Sequence, residues 1–176
     1  MSKKFSDLGI NKELQQSLLD LNIVVPTLVQ EKTIPPILNE TKDIVVLAKT
    51  GTGKTAAFGL PLLQLIDIKN PTIQAVILAP TRELGQQIYT NLVSIAACSP
   101  SIVIVPIFGG IPIKPQIESL KSSPNIIDSP IKKETENTTA IQISNFRQFV
   151  DYFYMKREAL LHAQLYNSVK LISFKV

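Results

Sequence analysis

Residues 44–58 of the chain read IVVLAKTGTGKTAAF, and this stretch decides the fold. It opens with a short apolar, mostly β-branched run, which predicts a strand buried on both faces within Asp43 to Ala48. Glycines then alternate with polar residues, and a helix-forming run begins at about Lys54. The stretch therefore predicts a strand and a helix joined by a tight glycine-rich loop.

A strand, a glycine-rich loop, a Lys-Thr pair and a helix are together typical of a P-loop, which holds a nucleoside triphosphate. The glycines allow backbone N–H groups to converge on phosphate oxygens, and the helix N-terminus adds partial positive charge. A chance Gly-Lys-Thr after a turn is the alternative, and the flanking strand and helix disfavour it. Lys54 would reach the outer phosphates, and the Thr55 hydroxyl would bind Mg²⁺. The candidate nucleotide-binding residues here are Ala48, Lys49, Thr50, Gly51, Thr52, Gly53, Lys54 and Thr55.

Length and composition describe an ordinary globular chain. Its 176 residues suffice for one domain with a sizeable core, and 45% of them are hydrophobic. The net charge of +4 comes mostly from the tail, where residues 121–176 hold eight Lys+Arg against five Asp+Glu. So small an excess is weak evidence for nucleic-acid binding.

The sequence favours a cytoplasmic location. Cys98 is the only cysteine, so the sequence can form neither an internal disulfide nor a cysteine-based zinc site. No apolar run is long enough to cross a bilayer, and no apolar segment follows the N-terminal lysines as in a signal peptide. We therefore expect no membrane contact.

Strand and helix patterns alternate along the first two thirds of the chain. This order predicts βαβ units and a mainly parallel sheet covered by helices. Proline is expected to end the second helix at or shortly after Pro35-Pro36, and to kink or break the third at Pro61. The predicted helices are one capped by Asn11, one capped by Thr27, and those at about 54–68, 80–97 and 112–120. Further strands are predicted at 73–79 and 101–108.

The composition changes after Lys121. Residues 122–144 are rich in Ser, Thr, Asn, Lys and Glu, which predicts a linker or a disordered segment. Residues 145–176 are predicted as a helical tail of unknown role, because an apolar stripe runs through residues 146–165. The last eight residues, 169–176, could instead form a terminal strand.

Several motifs in order resemble the first RecA-like domain of DEAD-box ATP-dependent RNA helicases. They are an aromatic residue at Phe5, Pro26-Thr27 with Gln30, the P-loop, the segment Pro80 to Leu84, and Gly109-Gly110. The resemblance covers about residues 5–120. It implies an incomplete P-loop RecA-like three-layer α/β domain, occupying residues 1–121 and followed by the linker and a C-terminal helix.

The upstream block is similar to the family's Q motif, which implies that ATP is preferred over other nucleotides. An aromatic face such as Phe5 can stack on adenine. The Gln30 amide offers a donor and an acceptor that match the N6 and N7 edge of adenine. On its own, Gln30 would be read as an exposed residue in the first turn of a helix.

The segment around Pro80, Thr81 and Arg82 is similar to the family's motif Ia, and Gly109-Gly110 to its next RNA-contact motif. The resemblance implies contacts with an RNA sugar-phosphate backbone, single-stranded or structured, without sequence preference. Thr81 and the helix-start amides can bond phosphate, and Arg82 adds charge. From the residues alone, Thr81 is equally a helix cap and the two glycines equally a turn.

The family's later motifs do not follow Gly110. We find no Thr-Pro-Gly-Arg, no Asp-Glu-Ala-Asp box, no Ser-Ala-Thr and no second RecA-like domain. Hydrolysis needs a carboxylate for Mg²⁺, a group that orients water, and an arginine. Residues 125–128 occupy the place of a fourth strand, but Ser129-Pro130 replaces the motif expected there.

Three hypotheses stay open. The first is the ATP-binding portion of a DEAD-box RNA helicase, truncated or frame-changed before the Walker B motif, with little or no turnover alone. The second is a non-catalytic nucleotide-binding or protein-interaction module, whose protein partners the sequence does not identify. The third is an unrelated P-loop kinase or NTPase, which leaves Gln30 and the segment at Pro80 unexplained.

Overall fold

The structure is a computed structural model, and it describes residues 3–39, 44–108, 112–130 and 172–175. All of these residues belong to one compact unit, formed by residues 1–132 together with 170–176. A second unit, residues 133–169, lies outside the described residues. Most of the predicted linker and helical tail therefore lies outside them as well.

The described helices follow the pattern predicted from the sequence. They are α1 (Lys12–Asp20), α2 (Leu28–Asn39), α3 (Lys54–Leu65), α4 (Arg82–Ile95) and α5 (Ile113–Leu120), with short 3₁₀ turns at Phe5–Leu8 and Ala96–Cys98. The predicted cap at Asn11 is confirmed, because its Oδ1 accepts a hydrogen bond from the Leu14 N–H at 2.9 Å. Across the part of the chain that the structure describes, no helix has the length and apolar character needed to cross a membrane.

Prolines interrupt the helices less than the sequence suggests. Helix α2 continues to Asn39, shortly after Pro35-Pro36 as expected. Helix α3 continues through Pro61 to Leu65, so the predicted break does not occur. A proline inside a helix costs about 3 kcal/mol, and full burial of one leucine contributes roughly 1.5–3 kcal/mol. The buried side chains of Leu60 and Leu63 on either side of Pro61 therefore offset its cost.

Every described strand pairs in parallel. The strands are β1 (Ile44–Leu47), β2 (Ala75–Ala79), β3 (Ile104–Pro106), β4 (Ile126–Pro130) and β5 (Ile172–Lys175). Strand β4 lies between β2 and β3 in a three-stranded sheet, while β1 pairs with β5 in a separate two-stranded sheet. The predicted mainly parallel α/β architecture is thus confirmed.

Each of the two segments predicted after residue 121 contributes one strand, β4 to the three-stranded sheet and β5 to the two-stranded sheet. Strand β4 falls within residues 122–144, the range predicted as a linker, and forms the fourth strand expected at residues 125–128. Strand β5 falls within the predicted helical tail and realises the alternative of a terminal strand, with Ile172 opposite Ile44. The chain therefore returns to the P-loop strand near its end.

Strand β1 differs from the prediction of a strand buried on both faces. Its exposure alternates: Ile44 and Val46 are half-buried, whereas Val45 and Leu47 are 67% and 72% exposed. Helix α2 packs against β1, and period-2 alternation places neighbouring residues on opposite faces of a strand. One face of β1 is therefore covered, and the other is open in the described part of the chain.

The core lies between α4 and the three-stranded sheet and continues to α3 and α1, which both pack against α4. Helix α4 packs against β2, β3 and β4. Helices α3 and α4 approach closely at Gly59, where an added Cβ would be 2.5 Å from Leu92 Cδ2. The largest fully buried apolar side chains include Leu14, Leu18, Ile34, Leu60, Leu92 and Ile126.

Asp128 is a charged exception in this core. Its side chain is fully buried in β4, and neither carboxylate oxygen has a hydrogen-bond partner in the described structure. Burial raises the pKa of Asp128 from 3.8 to about 6, and the Tyr89 backbone offsets this only in part. The folded state therefore keeps Asp128 protonated up to about pH 6, and the carboxylate is ionised at a cost above that pH.

We expect Asp128→Ala to stabilise the fold at neutral pH, because it removes a buried carboxylate that accepts no hydrogen bond within the described ranges. The folded pKa lies above the ordinary value, so wild type carries no penalty below pH 3.8 and loses stability as pH rises through about 6. The shift corresponds to at most about 3 kcal/mol above that range. Urea unfolding between pH 4 and 8 measures the difference, which should widen with pH.

The exposed Glu83 on α4 provides the control for this prediction. Glu83→Ala should shift stability by a few tenths of a kcal/mol at most, as is usual for surface substitutions. Parallel pH profiles for wild type and Asp128→Ala would show that the buried carboxylate has no energetic consequence.

Candidate functional site

The loop between β1 and α3 has the backbone of a phosphate cradle. Gly51 and Gly53 both adopt left-handed conformations, with φ of 74° and 83°. Gly53 directly precedes α3, and the Thr52 hydroxyl closes the loop by donating to the Lys49 carbonyl at 2.8 Å. The first N–H groups of α3 have no partner within the helix and face the space in front of it.

Lys54 is the first residue of α3, and its side chain reaches back over this loop. Its Nζ donates to the carbonyl oxygens of Ala48 at 2.8 Å and Lys49 at 2.9 Å. An ammonium has three donors, and hydrogen bonds to a charged phosphate are stronger than those to neutral carbonyls. The side chain is thus already positioned in the loop, where phosphate oxygens can compete for its donors.

Thr27 and Gln30 connect the start of α2 to the P-loop. The Thr27 hydroxyl donates to the Thr52 carbonyl at 2.9 Å, and Gln30 Nε2 donates to the Gly53 carbonyl at 3.1 Å. Gln30 Oε1 accepts from the Thr27 N–H at 2.9 Å, which forms one half of a capping box. The same two side chains therefore begin α2 and hold the loop.

The residues proposed for adenine are both buried. Gln30 is 3% exposed beside the loop, and Phe5 is 5% exposed in its 3₁₀ turn, where it joins the hydrophobic core. The described bonds of Gln30 use one of its two amide hydrogens and one oxygen lone pair. Their roles in binding adenine stay predictions.

The segment predicted to contact RNA lies at the N-terminus of α4. Pro80, Thr81 and Arg82 are all exposed. The Thr81 Oγ1 accepts from the Leu84 N–H at 3.2 Å, so Thr81 is a helix cap, and no described residue accepts a hydrogen bond from its own O–H. Both interpretations of this residue, as a cap and as a phosphate ligand, are thus structurally compatible.

Arg82 links this segment to the end of β3. Its guanidinium lies 6.0 Å from the centroid of the Phe108 ring, which is within cation–π range. Phe108 immediately precedes Gly109-Gly110, which lie outside the described residues. The structure therefore brings the carboxyl ends of β2 and β3 together, as a parallel sheet requires.

The donor set suits a triphosphate better than a metal ion held by protein alone. A Cβ at Gly53 would fill the cradle, at 2.5 Å from Gln30 Nε2. Within the described ranges, no group of three or more His, Cys, Asp or Glu side chains could hold a metal ion. Thr55, half-buried in the first turn of α3, fits Mg²⁺ that is also bound by nucleotide oxygens.

Sequence reasoning missed some of the functional contacts. The sequence identified Thr27 as a helix cap, and its spacing from Gln30 indicates a capping box. It did not indicate that the Thr27 hydroxyl also bonds to the P-loop backbone. Gln116 on α5 was not singled out: its Oε1 accepts from the Phe108 N–H at 2.8 Å and its Nε2 donates to the Phe108 carbonyl at 3.0 Å. No local pattern in the sequence indicates this second contact.

Comparison with known proteins identifies related sequences. The sequence pattern of the DEAD/DEAH box helicase family matches residues 27–172, which extends past the predicted limit of about residue 120. The DEAD-box ATP-dependent RNA helicase CshA of Geobacillus kaustophilus is 41% identical over 123 residues, covering 70% of this chain and 26% of that protein. CshA of Limosilactobacillus reuteri is 43% identical over 124 residues, covering 70% and 24%. The chain spans about a quarter of the length of these relatives.

Solved structures share the fold. A DEAD box protein from the hyperthermophile Methanococcus jannaschii is 29% identical with a TM-score of 0.73, covering 99% of this chain and 50% of that one. Mss116p bound to ssRNA and AMP-PNP has a TM-score of 0.74 at 24% identity, covering 99% and 41%. These likenesses confirm the predicted RecA-like α/β fold.

We expect Gly53→Ala to destabilise the protein more than Gly51→Ala. Both substitutions strain a left-handed backbone by about 1–2 kcal/mol. Only at Gly53 does the new Cβ meet another group, at 2.5 Å from Gln30 Nε2, whereas nothing lies within 4 Å at Gly51. Urea unfolding of both variants compares the two losses.

Gln30→Ala provides the test of the cause. If the clash with the Gln30 amide is responsible, the loss in the double variant should be smaller than the sum of the two single losses. Equal losses at the two glycines, or strict additivity with Gln30→Ala, would refute the role of this contact.

Proposed function

The chain belongs to the DEAD/DEAH box helicase family, and we propose that it forms the ATP-binding part of an ATP-dependent RNA helicase. The observation that carries this proposal is the set of hydrogen bonds from Thr27 and Gln30 to the P-loop backbone. An isolated P-loop would bind any nucleoside triphosphate, whereas a glutamine amide at the loop can also distinguish the base.

The phosphates would be bound by the P-loop backbone and Lys54. The left-handed glycines free the loop amides to face outward, and the start of α3 contributes partial positive charge. Thr55 would hold Mg²⁺, which supplies positive charge between the outer phosphates. Preference for adenine would come from the remaining hydrogen-bonding capacity of Gln30, with Phe5 as the aromatic partner.

RNA would be bound at the N-terminus of α4 and the end of β3. Thr81 can donate its O–H to a phosphate, and Arg82 can pair with the same backbone. Gly109 and Gly110 would allow the strand to approach the main chain closely. Contacts of this kind read the sugar-phosphate backbone, so the binding would not depend on base sequence.

We propose that the chain alone turns over little or no ATP. Phosphoryl transfer to water needs a carboxylate that holds Mg²⁺, a group that orients the water, and an arginine at the transferring phosphate. The described residues offer Thr55 and Lys54 at the loop but no acidic cluster. The chain would then act as a nucleotide-dependent RNA-binding module, and its intracellular location stays a prediction.

Titration with a fluorescent ATP analogue tests the nucleotide site. Lys54→Ala should weaken binding about 10–100-fold, because it removes charge-assisted hydrogen bonds of about 1.5–3 kcal/mol. Lys49→Ala in the same loop is the matched control and should have a smaller effect, since Lys49 is exposed. Gln30→Ala should weaken competition by ATP more than competition by GTP.

Two results would count against this part of the proposal. Identical affinities in wild type and in Lys54→Ala would mean that the loop does not bind phosphates. Equal preference for ATP and GTP, unchanged by Gln30→Ala, would instead favour an unrelated P-loop NTPase.

Titration of a fluorescein-labelled ten-nucleotide oligouridylate tests RNA binding. Arg82→Ala should weaken affinity about five- to tenfold and reduce the slope of log K against log salt by about 0.7, the value for one phosphate contact on a single strand. Lys12→Ala also removes one positive charge, but from α1, which is far in the sequence from Arg82. It should leave the slope unchanged. Equal effects of the two substitutions would indicate nonspecific attraction to net charge.

A further inference from the structure

Gln116 holds the backbone of Phe108 at both of its polar groups. The side-chain Oε1 accepts from the Phe108 N–H at 2.8 Å, and Nε2 donates to the Phe108 carbonyl at 3.0 Å. The same Nε2 lies 3.5 Å from the Pro112 carbonyl at the start of α5. One side chain of α5 thus fixes the backbone two residues after the end of β3.

This contact begins where the β-ladder ends. The last hydrogen bond between the end of β3 and strand β4 runs from the Ile107 N–H to the Asp128 carbonyl at 2.8 Å. The next residue is Phe108, and the Gln116 amide meets it as a neighbouring strand would, with one donor and one acceptor. These two hydrogen bonds, which we call the Gln116 clasp, therefore continue the backbone pairing by one residue, from Ile107 to Phe108.

The position of the Phe108 ring determines where Arg82 can lie. The ring is 8% exposed and packs against α4 at Gly85, where an added Cβ would be 3.2 Å from its Cε1. The Arg82 guanidinium lies 6.0 Å from the ring centroid. Any shift of the Phe108 backbone would move the ring against which the Arg82 guanidinium lies.

We propose that Gln116 is a positioning residue of the RNA site. It acts through Phe108 on one phosphate-binding group, the Arg82 guanidinium above the ring. This inference rests on the proposed RNA binding by the same segment. It adds to that function a residue on α5, which itself touches no RNA.

The experiment measures binding of the labelled oligouridylate by the full chain. Gln116→Leu keeps the size of the side chain and removes both hydrogen bonds, so RNA affinity should fall about fivefold. The salt slope should fall as in Arg82→Ala, by about 0.7, which a general loss of folded protein would not produce. Gln116→Asn retains the amide on a shorter side chain, so its RNA affinity should lie between those of wild type and Gln116→Leu.

Two further variants separate positioning from overall stability. Gln16→Leu makes the same chemical change on the exposed face of α1, and should leave RNA binding unchanged. Phe108→Leu keeps an apolar side chain and the backbone clasp but removes the ring, so it should weaken RNA binding and lower the salt slope like Gln116→Leu. In an Arg82→Ala background, Gln116→Leu should cost less affinity than in wild type.

The outcomes distinguish this inference from the function on which it rests. If wild type binds no oligouridylate, the proposed RNA site fails and the role of Gln116 fails with it. If Arg82→Ala weakens binding but Gln116→Leu and Phe108→Leu do not, RNA binding stands and the positioning role is overturned. An unchanged salt slope in a folded Gln116→Leu variant with weak binding would also overturn it.

Discussion

The hydrogen bonds from Thr27 and Gln30 to the P-loop are the constraint on which the nucleotide site depends. They tie the first turn of α2 to the carbonyls of Thr52 and Gly53, immediately before α3 begins. Because Gln30 also caps α2 through the Thr27 N–H, the start of one helix cannot move without disturbing the loop before the other. The close packing of Gly53 on Gln30 follows from this arrangement, since any side chain at residue 53 would occupy the place of the amide.

Parallel strands in two sheets organise the rest of the site around this junction. Each candidate segment follows the carboxyl end of a strand: the P-loop follows β1, Thr81 follows β2, and Phe108 follows β3. Such ends are where parallel α/β sheets bind ligands, because the loops there are free to diverge while the strands stay fixed. The contact between Arg82 and Phe108 shows two of these loops meeting, across the space above β4 that lies between β2 and β3.

Much of this arrangement could be predicted from the sequence because its signals are local. The caps at Asn11 and Thr81 act over three residues, and the glycines of the P-loop are adjacent to the helix that they introduce. Contacts between distant residues were harder to predict. The pairing of β5 with β1 joins Ile172 to Ile44, which are far apart in the sequence, and the clasp of Gln116 depends on how the chain turns after β3. The exposed face of β1 was missed because a short apolar run indicates burial without showing how many faces are covered.

Gly85 is the point at which the core and the proposed RNA site meet. A Cβ there would lie 3.2 Å from the Phe108 ring, 3.5 Å from Ala79 and 3.7 Å from Asp128 Oδ1. The absence of a side chain allows β2, β3 and β4 to approach α4 together. The Asp128 carboxyl, which has no hydrogen-bond partner among the described residues, and the Phe108 ring both lie close to this glycine. Sequences usually break a local folding rule where another demand is stronger. Asp128 accepts no hydrogen bond from the residues that the structure describes. Its Oδ1 and the Phe108 ring both border the position of a Cβ at Gly85, one turn after the N-terminus of α4. Substitution of Asp128 or Phe108 should therefore change both the stability of the sheet and the geometry at the carboxyl ends of its strands.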